Sequence, residues 1–113
     1  MKTLEFLNQL VDNQKESIHI QGWLSPVEAV VLYLMSLEND DSKGKILEIG
    51  SFCGKSSYWL AKGSKKRNGE KILCVDTFNG SIEHQELLKG QSTYNAFKDN
   101  LERANVFDWV IPI

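Results

Sequence analysis

The sequence predicts an α/β fold built on a small parallel sheet. Three observations carry this: short apolar runs at 45–50, 71–76 and 107–113, helical patterns between them, and a glycine-bearing turn directly after the first run. Strand, helix, strand, helix, strand with apolar strands calls for parallel pairing through right-handed crossovers. The expected order is 3-2-1, half of a doubly wound sheet, with two helices in front of it. A length of 113 residues fits one domain, divided into helices over 1–44 and a βαβαβ unit over 45–113.

Each element has its own local signal. Leu4, Leu7, Leu10 and Val11 recur at helical spacing, so 3–15 reads as an amphipathic helix. Ile18, Ile20 and Trp23 lie in a connector and are expected to pack on the body of the domain. Ser25-Pro26-Val27-Glu28 is a helix start: Ser25 caps, Pro26 needs no N–H at the first position, and Glu28 completes a capping box. Ala29 to Leu37 is apolar nearly all round, as a helix covered on several sides would be. Asn39 to Gly44 has turn chemistry. Lys45 to Gly50 then forms a buried strand, Gly54 to Lys62 a helix with Gly63 as its C-cap, and Lys71 to Asp76 a second strand. After a polar loop, Thr77 to Gln91, Ser92 caps a helix with Tyr94, Phe97 and Leu101 on one side and Asn105 at its left-handed exit. Phe107 to Ile113 opens a third strand.

Composition narrows the function. Apolar residues make up 42% and charged residues 25%, and the net charge is -2, ordinary values for a globular protein. A nucleic-acid partner is not expected without a basic face; Lys62, Lys65, Lys66 and Arg67 read as a solvated helix end, where cations favour the helix dipole. No apolar run approaches the ~20 residues of a membrane span, and the N-terminus has no secretory pattern. Cys53 and Cys74 form no CxxC and have no histidine at metal-ligand spacing, so reduced thiols in a cytoplasmic protein are expected, with no metal site.

The chemistry concentrates in Glu48-Ile49-Gly50-Ser51-Phe52-Cys53-Gly54-Lys55-Ser56, between the first strand and its helix, where doubly wound folds bind ligands. Gly50 lets the backbone turn and approach a ligand; Gly54 permits close passage onto the helix, whose free N–H groups attract an anion. Asp76 ends the neighbouring strand at the same sheet edge, 22 positions after Gly54, where a carboxylate can accept both hydroxyls of a ribose. Three readings compete at this point. One is a nucleoside-cofactor loop. A second is a phosphate-binding P-loop, which needs four residues between its glycines where this chain has three. The third is a purely structural strand-to-helix joint. A dinucleotide-type Gly-x-Gly-x-x-Gly is absent.

Taken with Val75-Asp76-Thr77-Phe78, Gly80-Ser81-x-Glu83-His84 and Asn100-Leu101-Glu102-Arg103-Ala104, the loop resembles that of Rossmann-like class I S-adenosylmethionine-dependent methyltransferases. The motif there is acid-x-Gly-x-Gly-x-Gly. Glu48, Gly50 and Gly54 match, and Phe52 replaces the middle glycine. An aromatic there, followed by Cys-Gly-x-Ser, resembles the catechol O-methyltransferase-like branch, and the wider set looks like a bacterial methyltransferase family of the same superfamily. The resemblance spans 22–113 and implies the front, cofactor-binding half of such a domain, a single truncated domain over 1–113, not expected to be active by itself. It implies S-adenosyl-L-methionine as cofactor, with Ser56 on the methionine carboxylate and Asp76 on the ribose. Gly50 and the Ser51-Phe52 backbone would flank the methionine moiety, with Glu48, Gly54 and Thr77 completing the cofactor-binding set. The acceptor implied is a small molecule, methylated on oxygen. The base and any metal ligands are not expected within these residues.

Other candidates have plainer readings. His84 could line a substrate mouth or act as a base, but a loop histidine without a visible partner is more simply exposed. His19 reads as a surface or packing residue. Trp23, Trp59 and Trp109 read as core residues, Trp23 alternatively as cover for a pocket. Finally, the 45–50 strand would lie at the open edge of the sheet with Ile46, Leu47 and Ile49 exposed, a template for pairing with another copy, so a homo-oligomer is expected.

Overall fold

A computed structural model of the chain describes residues 2–78 and 92–113. Its elements run α1 (Thr3–Ser17), α2 (Pro26–Leu37), β1 (Leu47–Ile49), α3 (Lys55–Lys66), β2 (Ile72–Val75), α4 (Thr93–Arg103) and β3 (Val110–Pro112), with single 3-10 turns at Asp41–Lys43 and Phe107–Trp109. The three strands are parallel, and β2 lies between β1 and β3. None of the described helices is long and apolar enough to cross a membrane.

The helix starts behave as their sequences dictate. Ser25 accepts from the Glu28 N–H at 3.1 Å while the Glu28 carboxylate accepts from the Ser25 N–H at 2.9 Å, a complete capping box. That contact holds the Glu28 carboxyl below its ordinary range. Ser92 accepts from Asn95 N–H and caps α4, whose exit passes through Asn105 at φ 58°.

Which faces become buried differs from the sequence pattern in several places. In α1 the residues turned inward are Phe6, Leu10, Asn13 and Ser17, whereas Leu4, Leu7 and Val11 are exposed. The reason is polar: Tyr58 O–H donates to Glu16 at 2.6 Å, Ser17 is buried, and Phe6 meets the Tyr33 ring. In α2 only Ala29, Tyr33 and Ser36 are buried, and Val27, Val31 and Met35 form an exposed stripe, so this helix is covered on one side, not several. In the connector Ile20 is buried but Ile18 is exposed.

Gly63 is not a C-cap. It lies inside α3, which runs on to Lys66, and it sits where α3 crosses α2: a Cβ there would come 2.8 Å from both Ser36 Cβ and Tyr33 O. Ser36 O–H donates to Leu60 O, and Arg67 Nε–H donates to Ser36 O at 2.8 Å. Arg67, far from being a solvated helix end, also forms a bidentate pair with Asp41 at 2.8 Å, and this holds the Asp41 carboxyl below its ordinary range. The crossing is thereby locked at both ends.

Both crossovers move the chain the same way across the sheet, so right-handed connections put α3 and α4 on one face. On that side Ile72, Cys74 and Val110 are buried. The opposite side carries the register row Leu47, Leu73, Ile111 and the pair Ile49, Val75. There Leu47 is 56% and Ile49 80% exposed, so β1 is not the buried strand its composition suggests. The third strand is also shorter than expected, because Phe107–Trp109 forms a 3-10 turn before Val110.

Candidate functional site at the carboxyl edge of the sheet

The turn after β1 is built from residues held in the left-handed region: Gly50 at φ 85°, Phe52 at φ 49° and Gly54 at φ 93°. Gly54 sits under α4, where a Cβ would come 3.2 Å from the Phe97 ring and 3.3 Å from Leu101. Its role is therefore close passage between helices. Gly50 is different, since no atom lies within 4 Å of where its Cβ would be. The space above it is open.

The acidic residue at the end of β2 closes the turn. Asp76 accepts from Phe52 N–H at 2.8 Å through one oxygen and from Phe78 N–H at 2.8 Å through the other. Gly50 N–H donates to Val75 O at 2.7 Å, and Gly54 N–H to Ser51 O at 2.9 Å. Three N–H groups of the loop are thus spent inside the protein, where a phosphate-binding nest would leave them convergent and open. Glu48 projects from β1 beneath the loop and accepts from Ser57 O–H; burial pushes its carboxyl above the usual range, with the Ser57 hydroxyl pulling the other way. Asn100 Nδ2 donates to Cys53 O at 3.0 Å and ties α4 to the same turn.

Beside the turn lies a cavity of about 200 Å³ lined by Gly50, Ser51, Phe52 and Ser56 on one side and by Gln21 to Leu24 on the other. Trp23, 75% exposed, stacks on Phe52 with ring centroids 6.0 Å apart and 24° between planes, so it is not a core residue; Trp59 is fully buried and Trp109 half-buried. The buried thiols of Cys53 and Cys74 are pushed up to about 11 by desolvation, which leaves both protonated at neutral pH.

A protein family described as a methyltransferase domain matches residues 47–111, more than half of the chain. The chain belongs to that methyltransferase family. No curated protein matches it. Within the methyltransferase domain, seven of the eight residues expected at the site gather at the β1–α3 turn and the end of β2: Glu48, Gly50, Ser51, Phe52, Gly54, Ser56 and Asp76. The eighth, Thr77, follows Asp76 and is exposed. Gly80, Ser81, Glu83 and His84 lie outside the described residues.

Sequence reasoning missed Ser57, whose only signal was its place in the Lys55-Ser56-Ser57 run at the start of α3. It also missed Lys55, Gln21, Gly22 and Leu24 as cavity walls, because they come together only when the segment before α2 docks on α3; Trp23, whose alternative reading was cover for a pocket, lines the cavity with them.

Gly50 invites a direct test. Valine at φ 85° would be strained whatever a ligand needs, so it cannot separate folding from binding. Asparagine tolerates left-handed backbone and fills the open space. Gly50→Asn is expected to melt within a few degrees of the parent and to bind S-adenosylhomocysteine at least about tenfold more weakly, by about 1.4 kcal/mol. Unaltered binding by calorimetry would mean that the space above Gly50 is not used.

Proposed function

We propose that this methyltransferase domain binds S-adenosyl-L-methionine along the β1–α3 turn and delivers its methyl group to an oxygen of a small-molecule acceptor. Ser56 takes the methionine carboxylate at the start of α3, Asp76 the ribose hydroxyls, and the backbone of Gly50 to Phe52 runs along the methionine chain. Gly54 lets α3 start close under α4 and so shapes the turn, Glu48 braces the turn from below, and Thr77 lies on the adenosine side. The observation that carries this reading is the joint placement of Asp76, bonded to Phe52 N–H, and Ser56 around an open Gly50 at one sheet edge. The catechol O-methyltransferase-like affinity rests on Phe52-Cys53-Gly54-Lys55-Ser56.

The cofactor supplies an electrophilic methyl on a sulfonium. Ser56, Asp76 and the backbone of Gly50 to Phe52 would hold it so that this methyl is offered to an acceptor oxygen in exchange for the C–S bond, with the acceptor proton passing to water. The residues named here contribute binding and orientation, which convert a two-body encounter into a held geometry. Buried, protonated Cys53 stands beside the turn but has no part in a direct displacement. Reduced thiols fit a cytoplasmic location.

Calorimetric titration with S-adenosylhomocysteine and, separately, with ATP–magnesium tests the reading. Binding of the first and none of the second is expected; the reverse would turn the assignment to a phosphate-binding module.

We propose in addition that the chain self-associates. Among the described residues β1 pairs only with β2, leaving an open edge beside exposed Leu47 and Ile49. Light scattering at low micromolar concentration is expected to give a dimer or larger species, and a stable monomer would refute it.

A further inference from the structure

The cavity beside the turn measures about 200 Å³, less than the ~300–1,000 Å³ of pockets that enclose a whole drug-sized ligand. Ser56 and Lys55 line it and Asp76 does not, so it suits one end of an elongated ligand. Lys55 is the one cation of that lining, which contains no carboxylate among the described residues. Its stem passes beneath Gly22, where an added Cβ would come 3.3 Å from Lys55 Cβ and 3.5 Å from Cδ. The residue is half-buried, and among the described residues its ammonium has no ion pair, hydrogen bond or ring contact. A lysine at the first position of α3 also opposes the helix dipole, and α3 has neither an acidic residue in its first turn nor a side-chain cap. The protein leaves this positive charge unanswered.

We propose that Lys55 binds the carboxylate at the methionine end of S-adenosylmethionine, sharing it with Ser56. This rests on the reading that the turn holds that cofactor. With the ribose at Asp76, outside the cavity, the amino-acid end enters the cavity and brings the ligand's single anionic group to Lys55 and Ser56. The Ser56 hydroxyl alone is neutral and would serve an amide as well as a carboxylate. An ammonium adds a charge-assisted bond, so ligands with a free carboxylate are preferred. The stem laid against Gly22 has less rotamer freedom to lose on binding, which strengthens the contact.

The test compares Lys55→Met and Lys55→Arg with the parent, measuring two neutral-sulfur ligands by calorimetry. S-adenosylhomocysteine has the amino-acid carboxylate, and 5′-methylthioadenosine lacks the whole amino-acid end. Lys55→Met keeps an unbranched stem against Gly22, and circular dichroism checks its fold. It is expected to weaken S-adenosylhomocysteine about fivefold, the upper range for a charge pair in contact with water, and 5′-methylthioadenosine less than twofold. Lys55→Arg should recover most of the loss. Parent affinity for S-adenosylhomocysteine should also fall as salt is raised from 50 to 500 mM, more steeply than for 5′-methylthioadenosine. Equal losses for both ligands, no loss for either, or identical salt dependence of the two in the parent would overturn the carboxylate contact. A parent that binds neither ligand would overturn the cofactor reading instead.

Discussion

Gly63→Val is expected to destabilise the chain by about 3 kcal/mol, the upper range for overpacking a tight contact. The first added carbon already meets Ser36 Cβ and the Tyr33 carbonyl oxygen at 2.8 Å. Of these the carbonyl is backbone and cannot rotate away. Helix propensity works the other way, since valine is a better helix former than glycine by a few tenths of a kcal/mol. The clash must exceed that gain because separating α2 from α3 would also break the Ser36–Leu60 and Arg67–Ser36 hydrogen bonds. For a domain of this size, 3 kcal/mol lowers the melting temperature by roughly 10 °C or more. A urea midpoint equal to the parent's would show that the helices can slide apart at little cost.

Asp76→Ala is expected to have two effects that a comparison with Asp76→Asn separates. In the structure both carboxylate oxygens are engaged, by Phe52 N–H and Phe78 N–H. Alanine removes both acceptors and is expected to cost about 1 kcal/mol of stability, the low end for leaving donors unpaired, because both bonds are only part-buried. It is also expected to weaken S-adenosylhomocysteine binding by about 1–3 kcal/mol through loss of charge-assisted hydrogen bonds to the ribose. Asparagine keeps one acceptor oxygen for the turn but loses the charge. It should recover part of the stability, since its NH2 faces the second N–H donor, while binding remains weak. If Asp76→Asn binds as tightly as the parent, Asp76 holds the turn and nothing else.

The turn thus has a double character. The residues proposed to meet a ligand are also held by their neighbours: Asp76 fixes Phe52, Ser57 fixes Glu48, and Asn100 fixes Cys53. Such mutual support keeps a binding geometry within a fraction of an ångström. It also means that substitutions here act on folding and binding together, so isosteric replacements are the informative ones.

What the sequence by itself determined is whatever a few neighbouring residues decide. Ser25 and Glu28 specify a helix start because their partners are three residues away. Ser92 and Asn105 do the same for the ends of α4, and Gly50 and Gly54 mark the sharp turn between β1 and α3. The alternation of these local signals sufficed for the α/β class and for gathering the candidate residues at the turn. Tertiary structure alone decided which faces meet. Leu4, Leu7 and Val11 share helical spacing, yet the inward face of α1 is set by Tyr33 and Tyr58 on other helices. Gly63 looks like a terminator in isolation and becomes a crossing point only because α2 lies against it. Ser57 and Trp23 join the site through partners 9 and 29 positions away, Glu48 and Phe52. Burial depends on what comes near in space, and one strand or helix read alone carries no record of its neighbours.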